Sequence, residues 1–127
     1  MSDIVVETPR LVLRKWRPTD LENAFDIYGD SEVMRYLGGA APVHDLEAMR
    51  ERLELFMSRD YGAGLGFWAA EEKTSGRVVG AILLKNLPEA EEIEVGWHLG
   101  QEHWGKGFAT EGAKAAIAHG FETVGLE

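Results

Sequence analysis

The 127-residue sequence contains no cysteine. Disulfides, thiolate nucleophiles, cysteine-held zinc and iron–sulfur clusters are thereby excluded. Its four histidines, His44, His98, His103 and His119, form no HxH or HxxxH pair, so no metal site is expected. Long apolar runs are missing too, and nothing approaches the roughly 20 residues of a membrane-spanning helix. The opening Met1-Ser2-Asp3-Ile4 lacks the basic-then-apolar order of a secretory signal, so the expectation is a cytoplasmic protein with no membrane partner. Positive charge is scarce: 13 Lys+Arg stand against 22 Asp+Glu, a net charge of -9. That balance speaks against direct nucleic-acid binding, which calls for a basic stripe. It suits a basic or amine-bearing partner, and a solvated acidic surface equally well.

What is present is enough for a core. Hydrophobic residues make up 45% of the chain, and no repeat or low-complexity tract divides it, so one domain over residues 1–127 is expected. Arg10 to Arg17 is rich in β-formers and alternates loosely, predicting a strand that Pro18 stops. Thr19 is the candidate N-cap of a helix, with Asp20 and Glu22 near its positive end and Leu21, Ala24, Phe25 and Tyr28 on one face. Gly29-Asp30-Ser31 breaks it. A second helix from about Asp45 to Asp60 carries the stripe Leu46, Met49, Leu53 and Phe56, read as core rather than as an acyl pocket. Leu65 to Glu72 and Arg77 to Leu84 form a hairpin around the turn Thr74 to Arg77. Pro88 to Glu91 makes the next turn, and Glu92 to Leu99 a further strand. On it Ile93, Val95, Trp97 and Leu99 point one way, and Glu92, Glu94, Gly96 and His98 the other. Trp97 is expected to pack under a helix. Gly100 to Gly107 leads into a last helix from about Ala109 to Thr123, with Ala113, Ala116, Ile117 and Gly120 as its packing face. The order β-α-α-β-β-β-α describes an α+β fold on a largely antiparallel sheet.

The informative stretch is Trp104-Gly105-Lys106-Gly107-Phe108-Ala109-Thr110-Glu111, between a strand and a helix. Two glycines one residue apart let the backbone turn tightly and expose several N–H groups in one direction. The helix adds unpaired donors and the positive end of its dipole. Together these suit an anion, phosphate above all, and Lys106 adds a point charge. A bare GxG is also what a plain strand-to-helix turn looks like. Three phosphate motifs compete. Gly100 to Gly107 matches the GxxxxGK of a P-loop but has Gly107 where Ser or Thr must hold magnesium. The dinucleotide fingerprint GxGxxG needs glycine where Thr110 stands, and a βαβ unit near the N-terminus. The pyrophosphate loop of acetyl-CoA-dependent acyltransferases fits best.

Four segments carry a family resemblance in order: Glu7 to Arg14, Gly76 to Gly80, Glu94 to Leu99, and His103 to Gly112. They are similar to the first strand, central hairpin, fourth strand and coenzyme loop of the GNAT superfamily of N-acetyltransferases. The likeness is to the RimJ/RimL branch, which acetylates ribosomal-protein N-termini. Trp104 stands where the superfamily usually has Gln or Arg, a substitution familiar in that branch. The family fold continues with a strand, a helix and a hairpin, whereas this chain stops at Val124 to Glu127. The expectation is therefore a GNAT-like sheet flanked by helices, shortened before the last strands. It would be a fragment, a short natural chain, or one whose sheet a partner chain completes, as in a homodimer.

The resemblance implies direct transfer of an acetyl group from the cosubstrate acetyl-CoA to a primary amine, without a covalent enzyme intermediate. It assigns the pyrophosphate to Trp104, Gly105, Lys106, Gly107, Phe108, Ala109 and Thr110. It assigns orientation of the thioester carbonyl to the backbone of Trp97, His98 and Leu99. The attacking amine must lose a proton. Glu94 is the first candidate base, Glu92 the second on the same face, and His98, with an unperturbed pKa of about 6.5, a further one. The plainer readings are a solvated acidic run for Glu89, Glu91, Glu92 and Glu94, and a hydrogen-bonded surface side chain for His98. Trp104 packs over the loop or the coenzyme, and the family pattern puts Met34 to Ala41 near the acceptor. A peptide N-terminus, a polyamine, an aminoglycoside or another small amine all remain open as acceptor, since fold likeness does not fix it. The alternative class is a non-catalytic module that binds CoA or only a partner chain through an unpaired sheet edge.

Overall fold

In the computed structural model, which describes residues 3–36, 41–59, 61, 65–86 and 93–124, the alternating segments pair with their neighbours in sequence. Strands β1 (Ile4–Glu7), β2 (Leu11–Arg14), β3 (Gly66–Glu72), β4 (Val78–Asn86) and β5 (Ile93–Leu99) lie side by side in that order. Every neighbouring pair is antiparallel. The register sets Phe67, Leu83 and Gly96 in one row across the sheet and Ala69, Ala81 and His98 in another. The expected α+β class with its antiparallel sheet is what the chain adopts.

Helices cover both faces. Helices α1 (Leu21–Tyr28), α2 (Ser31–Tyr36) and α3 (Leu46–Ser58) share a core with Phe67, Ala69 and Ala81. Helix α4 (Phe108–Val124) closes the opposite face over Leu11, Leu13, Trp68, Ile82 and Leu84. Strands β3 and β4 therefore feed two cores, which explains why their sequences are apolar nearly throughout. Close contact with the sheet is set by Gly112, where a Cβ would lie 2.7 Å from Ile82 Cδ1. Ala113 and Ala116 are buried as expected, but Ile117 is 37% exposed, so the packing face turns toward Gly112 instead.

Several local expectations are corrected. Thr19 does not cap α1. Residues Pro18–Asp20 form a 3-10 turn, and the Asp20 carboxylate accepts the Arg17 N–H at 2.7 Å. The same carboxylate takes both terminal nitrogens of Arg14 at 2.9 and 2.8 Å, and both residues are buried. Arg14 also donates to Glu71 at 2.9 Å. Helix α1 does end at Gly29 as expected, but Asp30 then accepts the Glu32 N–H at 2.8 Å and starts α2, which was not expected from the sequence. Strand β1 is an addition, pinned to the β2 side by Asp3, which pairs with Arg17 at 2.6 Å. Asp45 caps α3 by accepting the Ala48 N–H at 2.8 Å. Met49 and Leu53 are buried there, while Leu46, in the terminal turn, is 42% exposed, so the buried stripe begins one turn in. The expected turn at Pro88 to Glu91, the candidate base Glu92, the pair Gly38-Gly39 and the helix end at Asp60 lie outside the described residues. Among the described residues, no helix is long and apolar enough to cross a membrane.

Candidate functional site

The glycine loop follows β5 directly. Gly100 leads into a short 3-10 turn, Gln101–His103, and α4 begins at Phe108. Gly105 and Gly107 have φ of 77° and 81°, in the left-handed region that side chains disfavour. This conformational demand is the physical content of the GxG. The first hydrogen bond within α4 runs from the Glu111 N–H to Gly107 O at 3.0 Å. The N–H groups of Phe108, Ala109 and Thr110 consequently have no partner inside the helix. The Phe108 ring is buried, so only its backbone is available to a ligand. Lys106 is exposed. The Trp104 indole donates to Leu99 O at 3.0 Å, which folds the ring back onto the loop.

A cluster that the sequence did not single out backs the loop. Glu111 accepts hydrogen bonds from the Thr8 hydroxyl, from the Arg10 N–H at 2.9 Å and from Arg10 Nε at 2.7 Å. Arg10 Nη1 donates to the Lys106 carbonyl at 2.8 Å, and its guanidinium carbon lies 4.4 Å from the centre of the Phe108 ring. Burial alone would raise the Glu111 carboxyl, but the bonds from Thr8 and Arg10 outweigh it and hold the group below the usual glutamate range. The available signal was an acid in the first turn behind a GxG, with a Thr-Pro-Arg run able to answer it.

Strand β5 presents the other expected residues. His98 faces α1, with its Nδ1 2.8 Å from the Tyr28 hydroxyl oxygen and its ring edge-on to Tyr28 and Phe67. The plain reading of His98 as a surface side chain is thereby corrected. Burial, reinforced by Lys85, lowers its pKa below the ordinary histidine value, so the imidazole is neutral at pH 7. Burial pushes the Tyr28 phenol well up, and it stays protonated. With Nδ1 taken by Tyr28, Nε2 is the nitrogen left for other contacts. Glu94 lies on the same face but four residues away, about 13 Å along a strand. Its carboxylate is 3.9 Å from Lys85 Nζ on β4. Glu94 and His98 are thus not brought together. Between them Gly96 leaves an opening, since a Cβ there would meet nothing nearer than Leu83 Cδ2 at 3.7 Å.

Trp97 does not pack under a helix. It is 49% exposed, although Val95 and Leu99 on its face join the α4 core. Among the described residues β5 pairs only with β4, so a ring on this outermost strand has nothing further to pack on. The Gly100 N–H donates to Val79 O at 2.9 Å. By ladder alternation the N–H of His98 turns inward to β4, and those of Trp97 and Leu99 turn to the open edge. Beside α1 a groove of about 590 Å³ is lined by Asp26, Asp30, Arg77 and Glu102, with Arg77 3.3 Å from Asp26 and 3.9 Å from Glu102. It carries net negative charge.

A family profile described as an acetyltransferase (GNAT) domain matches residues 10–127. The Bacillus subtilis protein YkkB is 30% identical over 117 residues, covering 90% of this chain and 66% of that protein. YoaA of the same organism, named an uncharacterized N-acetyltransferase, is 28% identical over 126 residues, covering 96% and 69%. A crystal structure of an acetyltransferase (GNAT family) from Bacillus anthracis superimposes with a TM-score of 0.77 at 24% identity, covering 92% of this chain and 66% of that one. The chain therefore spans about two thirds of the length of the relatives it matches.

Proposed function

Because this chain belongs to the acetyltransferase (GNAT) family, we propose that it transfers the acetyl group of acetyl-CoA to a primary amine. The observation that carries the reading is the loop at Gly105 and Gly107, with positive φ at both glycines and unbonded N–H groups at the start of α4. Such a loop fits a pyrophosphate, held by the backbone of residues 104–110 with Lys106 alongside. Acetyl-CoA supplies an activated acetyl thioester. The outward N–H groups of Trp97 and Leu99 are suited to orient a carbonyl and to stabilise charge developing on its oxygen. Only a neutral amine attacks. Glu94 removes its proton, directly or through water, from the face that also carries the opening at Gly96. His98, already neutral, is a further candidate base on that face and would act through Nε2.

The acceptor proposed first is a peptide N-terminus. The RimJ/RimL likeness of Glu7 to Arg14 and of His103 to Gly112 supports it, and the net charge of -9 and the acidic groove beside α1 favour a cationic partner. A polyamine or another small amine fits the same charge.

One observation favours a second reading, a module that binds coenzyme or a partner chain without turnover. The outer edge of β5 has no strand partner among the described residues. A second copy could complete the sheet there, which sedimentation with and without coenzyme would reveal. The deciding experiment is thermal melting with acetyl-CoA, with ATP plus magnesium as control, followed by an amine panel. A rise with acetyl-CoA alone supports the coenzyme site, since a ligand of the folded state raises the melting temperature. A response to magnesium-ATP instead would overturn it. Binding without acetylation of any amine would favour the non-catalytic module.

A further inference from the structure

We propose that Arg10 is a positioning residue of the coenzyme-phosphate site. It clamps the Lys106 peptide and neutralises Glu111 at the mouth of α4, which keeps the loop's N–H groups open to an anion. The proposal rests on the reading of residues 104–110 as the phosphate loop and adds a residue from the far end of the chain to it.

Glu111 is an unfavourable residue for such a loop. A carboxylate in the first turn of a helix is a natural partner for the unpaired N–H groups there, and its charge opposes an incoming phosphate. The structure disposes of both effects. One oxygen of Glu111 is occupied by the Thr8 hydroxyl and the Arg10 N–H, the other by Arg10 Nε. The carboxylate is thereby turned to the β1–β2 turn and paired with a permanent cation. The same guanidinium binds the Lys106 carbonyl through Nη1, fixing the peptide between the two glycines. Its Nη2 lies beside Gly107, where a Cβ would be 3.3 Å from it. The ring of Phe108 supports its flat side. Only a planar fork reaches a carboxylate and a carbonyl at once, so lysine is not an equivalent.

A clamp that merely tied two parts of the fold together would show the same contacts but respond differently to charge. The test is calorimetric affinity for acetyl-CoA of the wild-type chain, Arg10→Ala, Glu111→Gln and the double variant, with the ligand-free melting temperature of each. Arg10→Ala should weaken binding about tenfold or more, because it leaves the Glu111 charge uncompensated at the loop and the Lys106 carbonyl unclamped, although the Thr8 hydroxyl and the backbone N–H of residue 10 still hold one carboxylate oxygen. Glu111→Gln should stay within about threefold of wild type, its charge having gone. The double variant should bind more tightly than Arg10→Ala alone, which removal of a purely mechanical clamp cannot produce. Wild-type affinity in Arg10→Ala, or a double variant as weak as or weaker than Arg10→Ala, overturns the proposal. If Arg10→Ala does not fold, Arg10→Lys replaces it. Tighter binding by Glu111→Gln than by Arg10→Lys then supports the proposal, and the reverse order overturns it. A wild-type chain that does not bind acetyl-CoA overturns the phosphate-loop reading itself and this inference with it, whereas a defect absent from the variants refutes only the role of Arg10.

Discussion

The Tyr28 hydroxyl and His98 Nδ1 stand 2.8 Å apart and join α1 to β5 by a hydrogen bond between two neutral groups. Because burial lowers the His98 pKa, the folded state resists protonation while the unfolded chain takes a proton at about pH 6.5. The folded pKa is the depressed one, so this stability is fully present above about pH 6.5 and is lost as pH falls from there through the folded pKa. Urea unfolding at stepped pH should show that decline in the wild-type chain and a flatter profile in His98→Asn. Equal slopes would contradict the assignment. Tyr28→Phe, which leaves the ring nitrogen without its partner, should cost about 1–3 kcal/mol at pH 7.5.

The two loop glycines should differ. An alanine at position 105 meets nothing within 4 Å, so Gly105→Ala carries backbone strain alone, about 1–2 kcal/mol. At Gly107 the same strain is joined by a Cβ 3.3 Å from Arg10 Nη2. Gly107→Ala should therefore lose more stability and more affinity for acetyl-CoA than Gly105→Ala. Melting curves and calorimetry check this, and the opposite order would count against the loop geometry.

Asp20 and Thr19 offer a contrast between neighbours. Asp20→Ala leaves the buried Arg14 guanidinium with Glu71 as its remaining carboxylate and the Arg17 N–H without its acceptor, so it should destabilise the protein by about 3–5 kcal/mol. Thr19→Ala should change stability by less than about 0.5 kcal/mol, since Thr19 caps nothing. A cost of about 1 kcal/mol at Thr19 would restore it as a helix cap.

Glu94→Gln separates chemistry from binding. If Glu94 is the base, turnover with a responsive amine should drop by about 10²–10⁴-fold while acetyl-CoA affinity is kept. Unchanged turnover in Glu94→Gln would pass the role to His98.

What could be read in advance followed local rules. The GxG was legible because Gly105 and Gly107 meet a backbone demand that few other residues meet. The paired strands were legible because alternation has a fixed period. Strand β1 was not, since four residues with exposed ends carry no periodic signal. Helix α2 was hidden because Asp30 reads equally as a breaker and as a cap, and only its bond to the Glu32 N–H decides. Thr19 lost to a tertiary demand, the burial of Arg14, which recruits Asp20 into the core. The setting of His98 depends on Tyr28, 70 residues away, and the exposure of Trp97 on which strand lies at the sheet edge. Neither is encoded near the residue itself.

The strictly sequential sheet also has a kinetic side. Strands β3, β4 and β5 join through short connections and can assemble as a meander from local contacts, which is the fast part of folding. The bond from Arg10 to Glu111 closes a loop of 101 residues, near the full length of the chain, and carries a larger closure entropy. The expected order therefore places the anion loop among the last features to set. A transiently detached β1–β2 hairpin would leave α4 in place with its first-turn carboxylate unclamped. In that state α4 keeps its packing on β4 and β5 but loses Leu11 and Leu13, and on the proposed reading affinity for acetyl-CoA would report whether Arg10 and Glu111 have met.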